Sequence, residues 1–93
     1  MTMMLKDPGS RIDHAFEWST AYPDGQTIMA SAWSVVPDEA DGLTVAAAGH
    51  GLTDAAATLT GGIAGHVYRV TNRVTMGDGQ IDERSISVRV EER

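Results

Sequence analysis

Turn-forming residues recur about every ten positions along this chain of 93 residues. Glycine, proline and aspartate, the residues that tight turns favour, stand together at 7–9, 23–25, 41–42, 49–51, 61–62 and 77–79. No stretch of 11 or more residues keeps the i, i+3, i+4, i+7 apolar spacing of an amphipathic helix. Short segments separated by regular turns are typical of a β-sandwich or barrel.

The segments between the turns alternate apolar and polar residues, as strands with one buried face do. The inward residues predicted for the first two strands are Ile12, His14, Phe16 and Trp18, then Met29, Ser31, Trp33 and Val35. A short third strand is expected at 43–45 and a fourth at 55–60. We therefore predict an all-β fold, a single antiparallel β-sandwich of immunoglobulin-like or fibronectin-III-like type. Residues 11–93 are assigned to this domain and 1–10 to an extended N-terminal arm.

The two C-terminal strands give the clearest local pattern. The segments 68–76 and 83–90 alternate on either side of a glycine-rich loop, 76–80, which predicts a hairpin. Asn72 falls on the inward face of the first of these strands, so we expect it to be hydrogen-bonded or to lie at a bend.

A glycine corner precedes the same strand. Gly61-Gly62-x2-Gly65 followed by Tyr68-x-Val70 is typical of a tyrosine corner, in which the hydroxyl bonds to the backbone a few residues upstream. An ordinary strand tyrosine is the alternative, and the role of Tyr68 is structural in either case.

The net charge indicates which class of partner the chain can bind. The net charge is −6, which predicts repulsion from nucleic acid and from anionic membranes, so another protein is the expected partner. The chain has no cysteine, and no apolar run approaches the roughly 20 residues that span a bilayer. The first eight residues become polar too early for a secretion signal.

No catalytic or cofactor motif is present, so we predict neither an enzyme nor a cofactor. The histidines, His14, His50 and His66, lack the spacing of zinc ligands. Calcium at the acidic stretch 38–41 is an alternative, although Asp-Gly is also ordinary turn chemistry. No serine lies in a nucleophile elbow and no phosphate-binding loop occurs.

The few aromatic residues permit two interpretations. Trp18, Trp33 and Tyr22 could form a sugar-stacking platform, which would make the chain a carbohydrate- or ligand-binding module. Trp18 and Trp33 fall on apolar strand faces, however, so we assign them a structural role in the core, as we do Tyr68.

Three groups of residues together carry a family resemblance. They are Lys6-Asp7-Pro8, then Thr27-Ile28-x2-Ser31-x-Trp33, then Gly61-Gly62-x2-Gly65-x2-Tyr68-x-Val70-Thr71-Asn72. This order resembles a family of small structural proteins of tailed phages and prophages, described as phage fibre-tail adaptors. His14 stands where the family commonly has tyrosine, and the hairpin loop reads Met76-Gly77-Asp78-Gly79 in place of Thr-x-x-Gly.

The resemblance implies a non-catalytic virion component at the neck or tail, assembled in the host cytoplasm and present in several copies of a symmetric assembly. It would join neighbouring structural proteins such as tail tube, connector or fibres. The residues that we predict to dock are Met3, Met4 and Leu5 in the arm, and Arg69 and Arg73 on an outward strand face. The alternative to a neck or tail role is a capsid decoration protein of the same fold. The alternative to a docking arm is an arm that is disordered in the isolated protein.

Overall fold

Seven β-strands and no helix make up the part of the chain that we describe, residues 2–22 and 25–92 of a computed structural model. The strands are β1 (Thr2–Lys6), β2 (Arg11–Glu17), β3 (Ile28–Val36), β4 (Leu43–His50), β5 (Asp54–Gly61), β6 (Val67–Met76) and β7 (Ile81–Val90). One sheet has the order β1-β7-β6-β3 and the other has the order β2-β5-β4. All pairings are antiparallel except that of β1 with β7. The predicted all-β class is confirmed, and two sheets are the arrangement of a β-sandwich.

The core lies between the two sheets and is built by strand alternation. Alternate residues are buried from Ala55 to Leu59, from Tyr68 to Met76 and from Ile86 to Val90; they are Ala55, Ala57, Leu59, Tyr68, Val70, Asn72, Val74, Met76, Ile86, Val88 and Val90. Removing this apolar surface from water is the main favourable term in the stability of a domain of this size.

A hydrogen-bonded tryptophan closes one end of the core. Trp18 follows β2 and is fully buried, and its indole Nε1 donates to Asn72 Oδ1 at 2.9 Å. Asn72 Nδ2 donates in turn to Ser31 Oγ at 2.8 Å and to the Ala32 carbonyl at 3.2 Å. The Arg84 guanidinium lies 4.3 Å from the centre of the Trp18 ring. The buried amide is therefore satisfied on both of its ends, as its inward position predicted.

The predicted C-terminal hairpin is present. β6 and β7 pair from Val67 with Arg89 to Thr75 with Ile81. The Met76 N–H donates to the Gln80 carbonyl at 2.8 Å, and Gly79 adopts φ of 92°, a conformation that glycine reaches without strain.

The predicted faces of β3 are wrong at its first two residues. Ile28 is buried, whereas Met29 is 67% exposed. The register with β6 shifts between Ile28 and Ala30, which marks a β-bulge. One extra residue reverses the parity of alternation, so Ile28 shares the inward side with Ser31 and Trp33 further along the strand.

Two segments carry more strand than expected. β4 continues to His50, past the short strand predicted at 43–45, with a register irregularity between Val45 and Ala47. Thr2–Lys6, within the segment predicted as an arm, are extended but pair with β7, so they add a fourth strand to the sheet. A parallel neighbour far away in sequence leaves no local pattern, which is why this pairing was missed.

The glycine corner before β6 is shaped by close packing. Gly61 and Gly62 have φ of 75° and 106°, and a Cβ on Gly62 would lie 2.6 Å from Val90 Cγ2. The Tyr68 hydroxyl accepts a hydrogen bond from the Ile63 N–H at 3.1 Å, which is the contact of a tyrosine corner.

A half-buried histidine in the core predicts pH-dependent stability. His14 lies edge-on to Phe16 at 4.9 Å between ring centres, and its Nε2 has no hydrogen-bond partner among the residues that the structure describes. Burial lowers the pKa of His14 below 6.5. The unfolded chain therefore takes up the proton first as pH falls. We expect the free energy of unfolding to decrease below about pH 6.5, by at most about 1.4 kcal/mol per pH unit.

Urea unfolding between about pH 7.5 and about pH 5 measures this dependence. In a His14→Leu variant the decline in this range should become shallower, because the group that takes up the proton is gone. An identical pH profile in the variant would contradict the assignment to His14.

Candidate docking surface

The outer face of the four-stranded sheet brings three distant segments together. Residues directly opposite on paired strands place their side chains on the same face of a sheet. One row therefore crosses the sheet through Leu5, Arg89 and Val67. The next row runs through Met3, Ser87, Arg69 and Val36. We call the set Met3, Leu5, Val36, Val67, Arg69 and Arg89 the apolar–arginine face.

The apolar members of this face are open to solvent. Met3, Leu5, Val36 and Val67 are between 45% and 64% exposed. Single exposed apolar residues are ordinary on a protein surface, but a group of four within two neighbouring rows of one sheet is typical of an interaction site.

The three outward arginines of this sheet differ in their partners. Arg89 pairs with Glu91 at 2.5 Å, and Arg73 pairs with Glu83 at 3.7 Å. Arg69 makes no ion pair with any residue in the described ranges, 2–22 and 25–92. An exposed guanidinium beside apolar side chains is suited to bind a carboxylate of another molecule.

The predicted docking residues are only partly brought together. Met3, Leu5 and Arg69 lie in the two rows of the face. Met4 points the other way and packs against the core. Arg73 lies two rows further along β6, roughly 13 Å away along the strand.

Val36 and Val67 were missed as members of the face. Both are apolar residues at outward positions, next to the inward Val35 and Tyr68. Both residues break the apolar–polar alternation of their strands, and this was the available sequence signal. It indicates a shared surface only once β1, β6 and β3 are known to lie in one sheet.

A buried lysine holds β1 in place. Lys6 is 1% exposed, and its Nζ donates to the Gly61 carbonyl at 2.8 Å and to the Asp7 carbonyl at 2.9 Å. Burial lowers the pKa of Lys6, and the charge of Asp7 partly opposes that effect. The Lys6 carbonyl also accepts from the Glu91 N–H at 2.9 Å. These bonds fix the end of the strand that carries Met3 and Leu5.

The acidic 37–42 loop lies beside the start of β6. Glu39 Oε1 accepts from the Tyr68 hydroxyl at 2.5 Å and lies 2.8 Å from His66 Nδ1. The hydrogen bond from Tyr68, and to a smaller extent the one from His66, holds the pKa of Glu39 below its usual 4.5. Burial and the Glu39 carboxylate together raise the pKa of Tyr68. The contacts tie the 37–42 loop to the start of β6, beside Val67.

The aromatic residues do not form a sugar-stacking platform. Trp18 is fully buried, and Trp33 stacks on Phe16 with ring centres 5.7 Å apart. Tyr22 is half-buried and donates from its hydroxyl to Asp82 Oδ2 at 2.9 Å. A platform needs several rings exposed on one surface, and these three are distributed through the core and its rim.

Within the described ranges, no group of three or more histidine and acidic side chains is placed to hold a metal ion. The same ranges contain no helix of the length and apolarity needed to cross a membrane.

A comparison with protein families agrees with the resemblance drawn from the sequence. The family model described as podophage GP4 fiber-tail adaptor protein gp77 matches residues 6–89. A search of curated proteins finds no match. The family is one of phage structural proteins that act in the tail, which places this chain in the virion as a structural tail adaptor. With almost the whole chain matched, it belongs to the podophage GP4 fiber-tail adaptor protein gp77 family.

Proposed function

We propose that this chain joins neighbouring structural proteins of the phage neck or tail by docking through the apolar–arginine face. The observation that supports the surface is the exposed cluster of Met3, Leu5, Val36 and Val67 beside Arg69, which makes no ion pair with any described residue. The role of adaptor comes from the family. The chemistry is surface complementarity: the apolar side chains supply buried area and the guanidinium selects a partner with a carboxylate.

We further propose that the sandwich is immunoglobulin-like. In such domains the second, fifth and fourth strands share one sheet and the third, sixth and seventh share the other. Here β2-β5-β4 and β3-β6-β7 are divided in the same way, and β6 begins with a tyrosine corner. A rigid scaffold of this kind holds the docking residues on strands, so binding requires little ordering of the chain.

Several copies per particle would suit so small a module. In a symmetric assembly each contact can be weak, because linked contacts strengthen one another through effective concentration. We propose assembly with other virion proteins, tail tube, connector or fibre, in the host cytoplasm, without participation of nucleic acid, membrane or cofactor.

The test is incorporation into particles. A phage carrying Leu5→Glu in this chain should incorporate the protein at least roughly tenfold less than the parent phage, because an unpaired charge would be buried within the contact. Quantitative mass spectrometry of purified virions measures the copy number, and cryo-electron microscopy shows whether tails and fibres are attached.

Leu52→Glu is the matched control. Leu52 is 69% exposed and lies in the turn between β4 and β5, near Ile28, at the opposite end of the molecule. It should incorporate like the parent protein. Normal incorporation of the Leu5→Glu chain, or absence of the parent chain from virions, would overturn the proposed function, provided that both variants melt at the parent temperature.

A further inference from the structure

The two outer faces of the sandwich differ in charge and in how far their side chains protrude. The outer face of β1-β7-β6-β3 carries Arg69, Arg73 and Arg89 against Glu83 and the adjoining Glu91. The outer face of β2-β5-β4 carries the acids Asp13, Glu17 and Asp54 against Arg11. The first face therefore carries one more positive than negative charge, together with protruding apolar side chains, although the chain as a whole is acidic.

The acidic face is flat because its other side chains are small. Paired across the strands are Asp13, Thr58 and Ala47 in one row, and Ala15, Ala56 and Gly49 in the next. A shallow depression lies among these residues, lined by Asp13, Ala47, Ala48, Gly49, Ala56, Ala57 and Thr58. We call this surface the small-residue face.

A carboxylate is held at the edge of that depression. Asp13 Oδ1 accepts a hydrogen bond from Thr58 Oγ1 at 2.6 Å, across the β2–β5 pair. An arginine entering from outside would lay its aliphatic stem on the alanines and bring its guanidinium to the Asp13 carboxylate.

We propose that copies of this chain associate head to tail, with the apolar–arginine face of one copy on the small-residue face of the next and Arg69 against Asp13. The charges are complementary, and long side chains meet a flat surface of alanine, glycine and threonine that leaves room for them. The inference rests on the proposed function because it takes the apolar–arginine face as the docking surface. It adds that a second copy of the chain is the partner at that face.

Head-to-tail contact has a consequence for the assembly. The two faces belong to different sheets, on opposite sides of the sandwich, so the contact is heterologous and leaves one face of each end copy open. Repeated contacts of this type close into a ring when the rotation permits. A ring is a geometry in which one small chain can present many equivalent sites to other tail proteins.

Sedimentation velocity on the purified chain, from about 10 μM to about 1 mM, tests the proposal. We expect the average mass to rise with concentration. Arg69→Asp and Asp13→Arg should each weaken association at least roughly tenfold, because like charges then meet. Both residues are exposed, so both variants should remain folded; Asp13→Arg loses one exposed hydrogen bond from Thr58 and should melt only slightly below the parent chain.

Charge reversal permits a stringent control. An equimolar mixture of the Arg69→Asp and Asp13→Arg chains should associate again, since opposite charges meet wherever the two kinds of copy alternate. The chain carrying both substitutions should also recover. Arg73→Asp makes the same charge change on the outer side of the same sheet, two rows beyond the apolar–arginine face, and should associate like the parent chain.

A parent chain that stays monomeric up to about 1 mM would overturn the inference, as would single variants that associate normally or a mixture that does not recover. These results are distinguishable from failure of the proposed function. A chain that is monomeric in solution yet lost from virions by Leu5→Glu would dock on a different tail protein through the same face.

Discussion

Replacing Trp18 by alanine is expected to lower the free energy of unfolding by about 3–5 kcal/mol. The side chain is fully buried and packs with Ile28, Ala55, Val74 and Met76. Its removal opens a cavity and also leaves Asn72 Oδ1 without its donor. Since small domains are stable by only about 5–15 kcal/mol, the variant should lie close to the limit of folding. Urea unfolding followed by circular dichroism gives the measurement.

The Trp18→Phe variant separates packing from hydrogen bonding and remains informative if the alanine variant does not fold. It retains most of the ring contacts but lacks the indole N–H, so we expect a smaller loss of about 1–3 kcal/mol. If Trp18→Ala cost less than about 1 kcal/mol, Trp18 could not close the core as described.

Replacing Tyr68 by phenylalanine should cost about 2 kcal/mol of unfolding free energy. The substitution removes one hydroxyl from a fully buried residue, and with it the acceptor of the Ile63 N–H and the donor to the Glu39 carboxylate. The pKa of Glu39, which the Tyr68 hydroxyl depresses more than any other group, should rise toward 4.5 in the variant. NMR titration of the Glu39 carboxyl measures that shift.

The sign of the associated pH effect follows from linkage. A carboxyl whose pKa is depressed in the folded state stabilises the fold above its unfolded pKa, and this contribution disappears as pH falls through the folded value. The difference in stability between the parent and Tyr68→Phe should therefore narrow in acid. Tyr22→Phe is the matched control. Tyr22 is less buried than Tyr68 and its hydroxyl donates to Asp82, so Tyr22→Phe should lower the free energy of unfolding by less than Tyr68→Phe does. Equal losses in both variants would contradict the corner assignment.

The fold followed from sequence wherever the signal was local. Alternation in β6 and β7 and the glycines of the 76–80 loop predicted the hairpin, and the Gly61-Gly62 corner predicted the environment of Tyr68. Each of these depends on residues within about ten positions of one another, where turn chemistry and the pleat determine the outcome.

The errors arose where pairing between distant strands decided the outcome. An inserted residue at Met29 reversed the alternation of β3, and strict alternation cannot show a bulge. β1 joined the sheet through a parallel pairing with β7, more than 80 residues away. The proposed docking surface was accordingly predicted only in part: Met4 turned inward and Arg73 lies apart, while Val36 and Val67 were added by register.

The sequence by itself determined the all-β class, the inward faces of most strands, the two glycine-dependent turns and the family. These follow from residue types, their spacing and their order. Tertiary structure alone decided which exposed residues became neighbours. Leu5, Val67 and Val36 lie on three strands far apart in the chain, and only the register of β1 with β7 and of β6 with β3 and β7 sets them beside Arg69. Cross-strand contact depends on register, and register is a property of the folded sheets.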